Sequence, residues 1–152
     1  MSEEVQHQSN INEIQDEVIE EFSLFDDWTE KYKYIIEQGR ELEPLDDQYK
    51  QDDLKVSGCQ STVYLTAFLD ENNKLIYKAE SDAMIVNGLI ALLIRVLSGQ
   101  KPEDVSNSDL YFIDQIGMKE HLSPTRSNGL AAMVKQMKLY GIAFQQKLQK
   151  QA

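Results

Sequence analysis

Cys59 is the single cysteine in 152 residues, within the stretch Lys55-Val56-Ser57-Gly58-Cys59-Gln60-Ser61. Gly58 precedes it directly, and an alternating apolar run, Val63, Leu65, Ala67, Leu69, begins four residues later. This pattern puts one thiol on a tight turn at the mouth of a strand. One sulfur cannot close an intrachain disulfide, nor supply the several thiolates of a structural zinc or iron–sulfur site. Two readings stay open: a reactive thiol working alone, or an inert buried one.

Three places depart from local rules, and function often sits at such places. Small polar residues crowd the thiol in Gly58-Cys59-Gln60-Ser61, where a strand would favour β-branched ones. Ser123-Pro124 is a strong helix start, which puts Arg126 in a first turn whose dipole disfavours a cation. Gly129 inside the same helix costs about 1 kcal/mol relative to alanine, so a neighbour is expected to pack close there. Each also has a plain reading. Arg126 can bridge to a surface carboxylate, and His121 is a candidate general base or a helix cap.

The elements that position these residues follow from periodicity. Ile11, Ile14, Val18, Phe22 and Phe25 recur at helical spacing. Asp26 or Asp27 caps a second helix with Trp28, Tyr32, Ile35 and Ile36 on one face. Residues 39–53 read as a loop, because Pro44 breaks the helix and four aspartates keep the stretch wet. Val63–Leu69 and Leu75–Ala79 alternate with period two around Asp70-Glu71-Asn72-Asn73, a hairpin. Ser81 or Asp82 caps an apolar helix from Met84 to Leu97, which Gly99 ends. Short helical turns are expected near Pro102–Val105 and Leu110–Ile116. The last helix carries Leu130, Met133, Val134, Met137, Tyr140, Ile142 and Phe144. The fold class is α+β, a small antiparallel sheet flanked by helices in one domain over 1–152, with frayed ends at 1–9 and about 148–152.

Composition narrows the function. The net charge is −11, with 17 acidic and 4 basic residues in positions 1–53 and 9 and 11 in positions 54–152. The acidic first third would repel a polyanion, so nucleic acid is not expected as a partner; it serves solubility or docks a basic partner. No signal peptide is evident, and the longest uncharged run of apolar character spans twelve residues, 83–94, short of the roughly 20 that cross a bilayer. A lone cysteine suits a reducing compartment, so a cytoplasmic, membrane-free protein is expected.

Four stretches together resemble the SufE family, over about residues 20–140. Residues 22–36, from Phe22-Ser23-Leu24-Phe25 through Trp28 to Ile36, are similar to its N-terminal helix pair. Gly58-Cys59-Gln60-Ser61 matches its cysteine motif. Residues 79–91, with Ser81-Asp82-Ala83 and Asn87-Gly88-Leu89, resemble its strand and core-helix segment. Glu120-His121-Leu122-Ser123-Pro124-Thr125-Arg126-Ser127-Asn128-Gly129-Leu130 is similar to its closing motif. Thr62 and Tyr64 stand where glutamine and tryptophan are common in the family.

The resemblance implies a SufE/NifU-like fold and a sulfur carrier without cofactor or metal. Its partners would be a pyridoxal-phosphate cysteine desulfurase of the SufS type and a SufBCD-type scaffold complex. Cys59 would hold the sulfur as a persulfide. Gly58 would give the loop freedom, Gln60 and Ser61 would offer donors to a thiolate, and Arg126 and His121 would support the thiol or contact the partner. The chain would be an accessory to sulfur transfer rather than an enzyme in the strict sense, as a monomer or a homodimer, in a Suf-type or Csd-type system. The rivals are an IscU/NifU-like cluster scaffold, which needs about three cysteines; a thiol-redox protein, which lacks a C-x-x-C pair here; and a binding module with a silent cysteine.

Overall fold

The computed structural model describes residues 10–151. Seven helices and one hairpin follow in the order α1 (Ile11–Phe22), α2 (Trp28–Arg40), β1 (Val63–Leu69), β2 (Leu75–Ser81), α3 (Met84–Leu97), α4 (Pro102–Ser106), α5 (Phe112–Ile116), α6 (Met118–His121) and α7 (Pro124–Gln151). This is an α+β fold with a two-stranded antiparallel sheet, as expected from the sequence.

The first two helix starts have a local cause. Asn10 and Glu13 form a reciprocal capping box on α1, with bonds of 2.8 and 2.9 Å. Asp27 rather than Asp26 caps α2, accepting from the Glu30 amide at 2.9 Å. Gln15 on α1 is fully buried. Its amide nitrogen donates to the Asp109 carbonyl and its oxygen accepts from the Phe112 amide, both at 3.0 Å, which ties α1 to the start of α5.

The hairpin pairs Val63 with Ser81 and Leu69 with Leu75. Asp70 organises the turn by accepting from the amides of Asn72 and Lys74, and Asn73 adopts the left-handed region at φ 62°. Leu75, Tyr77, Ala79 and Ser81 form the buried face of β2. That face rests on α3, whose Leu89, Leu92, Leu93, Val96 and Leu97 are almost wholly buried.

α2 and α3 cross at backbone contact. A Cβ on Gly88 would stand 2.2 Å from the Ile35 carbonyl oxygen, and one on Gly39 would stand 2.6 Å from the Gly88 amide nitrogen. Only hydrogen at both positions permits this approach.

Several expectations are corrected. α2 continues through Arg40, and two short 3-10 turns, Asp47–Tyr49 and Asp52–Leu54, punctuate the loop after it. α6 is an element the periodicity did not reveal. Neither Ser81 nor Asp82 caps α3: Ala83 occupies the cap position without a side-chain bond. α7 runs to Gln151, beyond the expected frayed end near 148. The frayed start at 1–9 lies outside the described residues.

Candidate functional site: the Cys59 loop

Residues 56–63 close a loop on itself. The Val56 amide donates to the Val63 carbonyl at 2.9 Å, and Lys55 bridges Tyr64. Both Val56 and Val63 are buried, so the loop has anchored feet and a free tip. Gly58 turns the tip at φ 92°, in the left-handed region that favours glycine. There a Cβ would also approach Ala132 of α7 to 3.3 Å. The chain after the tip is latched to the segment before α3, where Asp82 accepts from the Thr62 amide at 3.2 Å.

Cys59 is half-buried against α7 and the start of β1. Its Sγ donates to the Gly129 carbonyl at 3.6 Å, and a Cβ on Gly129 would lie 3.6 Å from that sulfur. The helix glycine thus leaves room for the thiol, which is the close neighbour its position predicted. A cavity of about 270 Å³ opens beside the sulfur. Val63, Val86, Leu89 and Met133 give it apolar walls, and Gln60, Ser61, Ser123, Thr125 and Arg126 give it a polar side.

Burial pushes the Cys59 thiol above its ordinary value, because a thiolate is poorly solvated there. The bond to a carbonyl likewise favours the protonated form. Gln60 and Ser61 line the cavity, and neither contributes a side-chain bond to the sulfur among the described residues. The resting thiol is therefore shielded and unactivated.

Arg126 is exposed on the cavity rim. Ser123 Oγ accepts from its amide at 3.3 Å, fixing the first turn of α7. Its guanidinium has no ion pair among the described residues, so the surface-carboxylate reading is not realised. The guanidinium gives this side of the cavity a positive charge.

His121 is placed elsewhere. It stacks on Trp28 with ring centroids 4.3 Å apart and planes 18° from parallel. Its carbonyl accepts from Tyr32 Oη at 2.6 Å. It does not line the Cys59 cavity, so its position gives it packing between α2 and α6 and no contact with the sulfur.

Sequence reasoning missed the role of Asp82, read there as a helix cap. Its partner amide is 20 residues away, a pairing that only the hairpin creates. No group of three or more histidine, cysteine or acidic side chains able to hold a metal ion occurs among the described residues. No helix among them is long and apolar enough to cross a membrane.

The SufE family model, described as an Fe-S metabolism associated domain, matches residues 16–140. An uncharacterised SufE-like protein of Rhizobium meliloti is 35% identical over 127 residues, covering 81% of this chain and 91% of that one. A SufE-like protein of Synechocystis is 38% identical over 128 residues, covering 84% and 80%. The chloroplastic/mitochondrial SufE-like protein 1 of Arabidopsis thaliana is 37% identical over 121 residues, which is 80% of this chain and 33% of that longer protein. A solution structure of a hypothetical protein from Thermus thermophilus shares the fold, with a TM-score of 0.72 at 20% identity over 88% of this chain and 96% of that one. The chain belongs to the SufE family, and with it to iron–sulfur metabolism.

Proposed function

We propose that this protein accepts a sulfane sulfur from a cysteine desulfurase on Cys59 and carries it to an iron–sulfur scaffold. The observation that carries the reading is the placement of the one thiol beside a positive-φ glycine turn, half-covered, next to a cavity whose rim holds an arginine with no ion pair among the described residues. A carrier needs a sulfur that is sheltered at rest and able to reach outward. The short anchored loop suits both needs.

The transfer step is an exchange. The Cys59 thiolate attacks the terminal sulfur of a persulfide on the donor cysteine. A bond forms between Cys59 Sγ and that sulfur, the donor's S–S bond breaks, and the donor leaves as a thiolate. The Cys59 proton goes to solvent or to a donor-side base, and no external oxidant or reductant is consumed. In the resting pose burial opposes ionisation. Swinging the tip outward removes that penalty, so the thiol becomes nucleophilic where the donor meets it. The absence of a second cysteine protects the product, because no neighbouring thiol can resolve the persulfide into a disulfide. Arg126 is a contact for the donor or for the anionic sulfur.

The test is transfer of radiolabelled sulfur from free cysteine through a pyridoxal-phosphate cysteine desulfurase, read on a non-reducing gel. Label on the wild-type chain and none on Cys59→Ser supports the reading. Equal label on both chains defeats it.

A further inference from the structure

The outer face of α7 is unusual for a surface helix. α7 contains five basic residues and no acidic one in a chain of net charge −11. Its inner face is buried through Gly129, Leu130, Met133, Met137 and Gly141. On the opposite side Ala131, Val134, Lys135, Lys138, Leu139 and Ile142 form a second stripe at helical spacing. Leu139 and Ile142 are 46% and 41% exposed.

This stripe faces α5 across an apolar trough of about 840 Å³, to which Leu110 and Ile113 add further apolar wall. Three lysines, 119, 135 and 138, and one carboxylate, Asp114, stand among its lining residues. Lys119 pairs with Asp114 at 3.2 Å, and Lys138 donates to the Ser108 carbonyl at 2.6 Å. Lys135 has no ion pair among the described residues. The lining therefore carries an excess of positive charge around an apolar floor.

We infer that this groove docks an amphipathic helix of a protein partner, with apolar residues on one face and acidic residues flanking them. The trough follows α7 from Ser127 to Ile142, about four helical turns or roughly 22 Å, which suits a rod rather than a small compact ligand. An acidic flank answers the lysines, and apolar anchors answer Leu139 and Ile142. A second copy is a poor occupant: pairing α7 with α7 would set lysine against lysine. The acidic α1 offers no spare apolar face, because its Ile11, Val18 and Phe22 are buried in its own core. Leu130 lines both this groove and the Cys59 cavity, so a partner held here stands one helix face away from the thiol.

Binding at this face is independent of sulfur chemistry, so Cys59→Ser is expected to bind as the wild type does. The test uses synthetic blocked peptides roughly four helical turns long, with leucine at every third and fourth position and either glutamate or lysine elsewhere. Fluorescence anisotropy and amide chemical-shift mapping are the readouts. The glutamate peptide is expected to bind, to shift signals of α5 and outer α7, and to weaken with added salt. The lysine peptide is expected to bind at least about tenfold more weakly. Lys135→Glu and Leu139→Asp, both at exposed positions, should each weaken the glutamate peptide about tenfold without changing the melting temperature. No binding of the glutamate peptide, equal binding of both peptides, or indifference to both substitutions overturns the inference. A wild-type dimer in sedimentation that Leu139→Asp dissociates also overturns it, by giving the groove to a second copy.

Discussion

The α2–α3 crossing and the Cys59 loop are both shaped by glycines, to opposite ends. At the crossing, Gly39 and Gly88 remove side chains so that two helices meet at backbone distance, with Ile35 fully buried between them. At the loop, Gly58 permits a turn that few other residues adopt, and the tip is held by one weak sulfur bond, the Asp82 carboxylate on the Thr62 amide and the Asp82 amide on the Thr62 carbonyl. The first arrangement has no slack. The second separates from α7 at the cost of a few hydrogen bonds. A carrier is served by that contrast, a rigid platform under a tip that can leave it.

The largest effect should come from closing the crossing. Gly88→Ala puts a methyl 2.2 Å from the Ile35 carbonyl oxygen. Backbone must move, and a loss of more than roughly 3 kcal/mol is expected in denaturant unfolding. A shift below about 1 kcal/mol would mean that α2 and α3 are not so tightly apposed.

Loosening the loop should leave stability nearly intact and change reactivity instead. Asp82→Ala removes the bond to the Thr62 amide, and iodoacetamide should then alkylate Cys59 about tenfold faster at neutral pH. In the wild type the alkylation rate should rise with pH along a curve displaced above that of an ordinary thiol, because burial raises the value in the folded state. A wild-type curve already at or below the ordinary position would contradict the shielded pose.

Arg126→Ala should reduce sulfur acceptance several-fold while circular dichroism and melting temperature stay unchanged, since the side chain has no ion pair to lose among the described residues. Undiminished sulfur acceptance by that folded variant would remove Arg126 from the site.

The smallest effect belongs to the platform's edge. Arg95 bonds Glu21 at 2.6 and 2.8 Å, and Tyr34 donates to the same carboxylate. Chiefly through the Arg95 bond, the Glu21 carboxyl is held down at about 2 from 4.5. A lowered folded value adds stability that is full above 4.5 and lost as pH falls toward 2. Both side chains are about a third exposed, so solvent screening keeps the contribution modest. Glu21→Gln should flatten the acid limb of the stability curve, which urea midpoints at several pH values would show.

Much of the platform was legible in the sequence because its signals are local. The spacing of Ile11, Ile14, Val18 and Phe22, the cap at Asp27, the alternation in Val63–Leu69 and the apolar run of α3 are each visible within one element. α6 escaped because four residues are too few to show a period. Asp82 was misread because a residue suited to capping a nearby helix is spent on a strand partner that only folding brings close. At the site, the stretch around Cys59 and the helix position Gly129 stood out for breaking local rules, and the structure sets the thiol against that glycine. His121 stood out only for its rarity, and its stacking on Trp28 depends on α2 reaching α6, which no spacing reveals. Of the outer stripe of α7, only Val134 and Ile142 were among the apolar residues assigned to that helix, and which residues face inward is decided by the partners that cover them.

The central claim is that Cys59 receives a sulfur atom. Peptide-mapping mass spectrometry after incubation with a pyridoxal-phosphate cysteine desulfurase and free cysteine tests it most directly. The account predicts a gain of one sulfur mass, confined to the peptide that contains Cys59 and reversed by a thiol reductant. A chain that forms a complex with the active desulfurase and yet keeps an unmodified Cys59 peptide would contradict it.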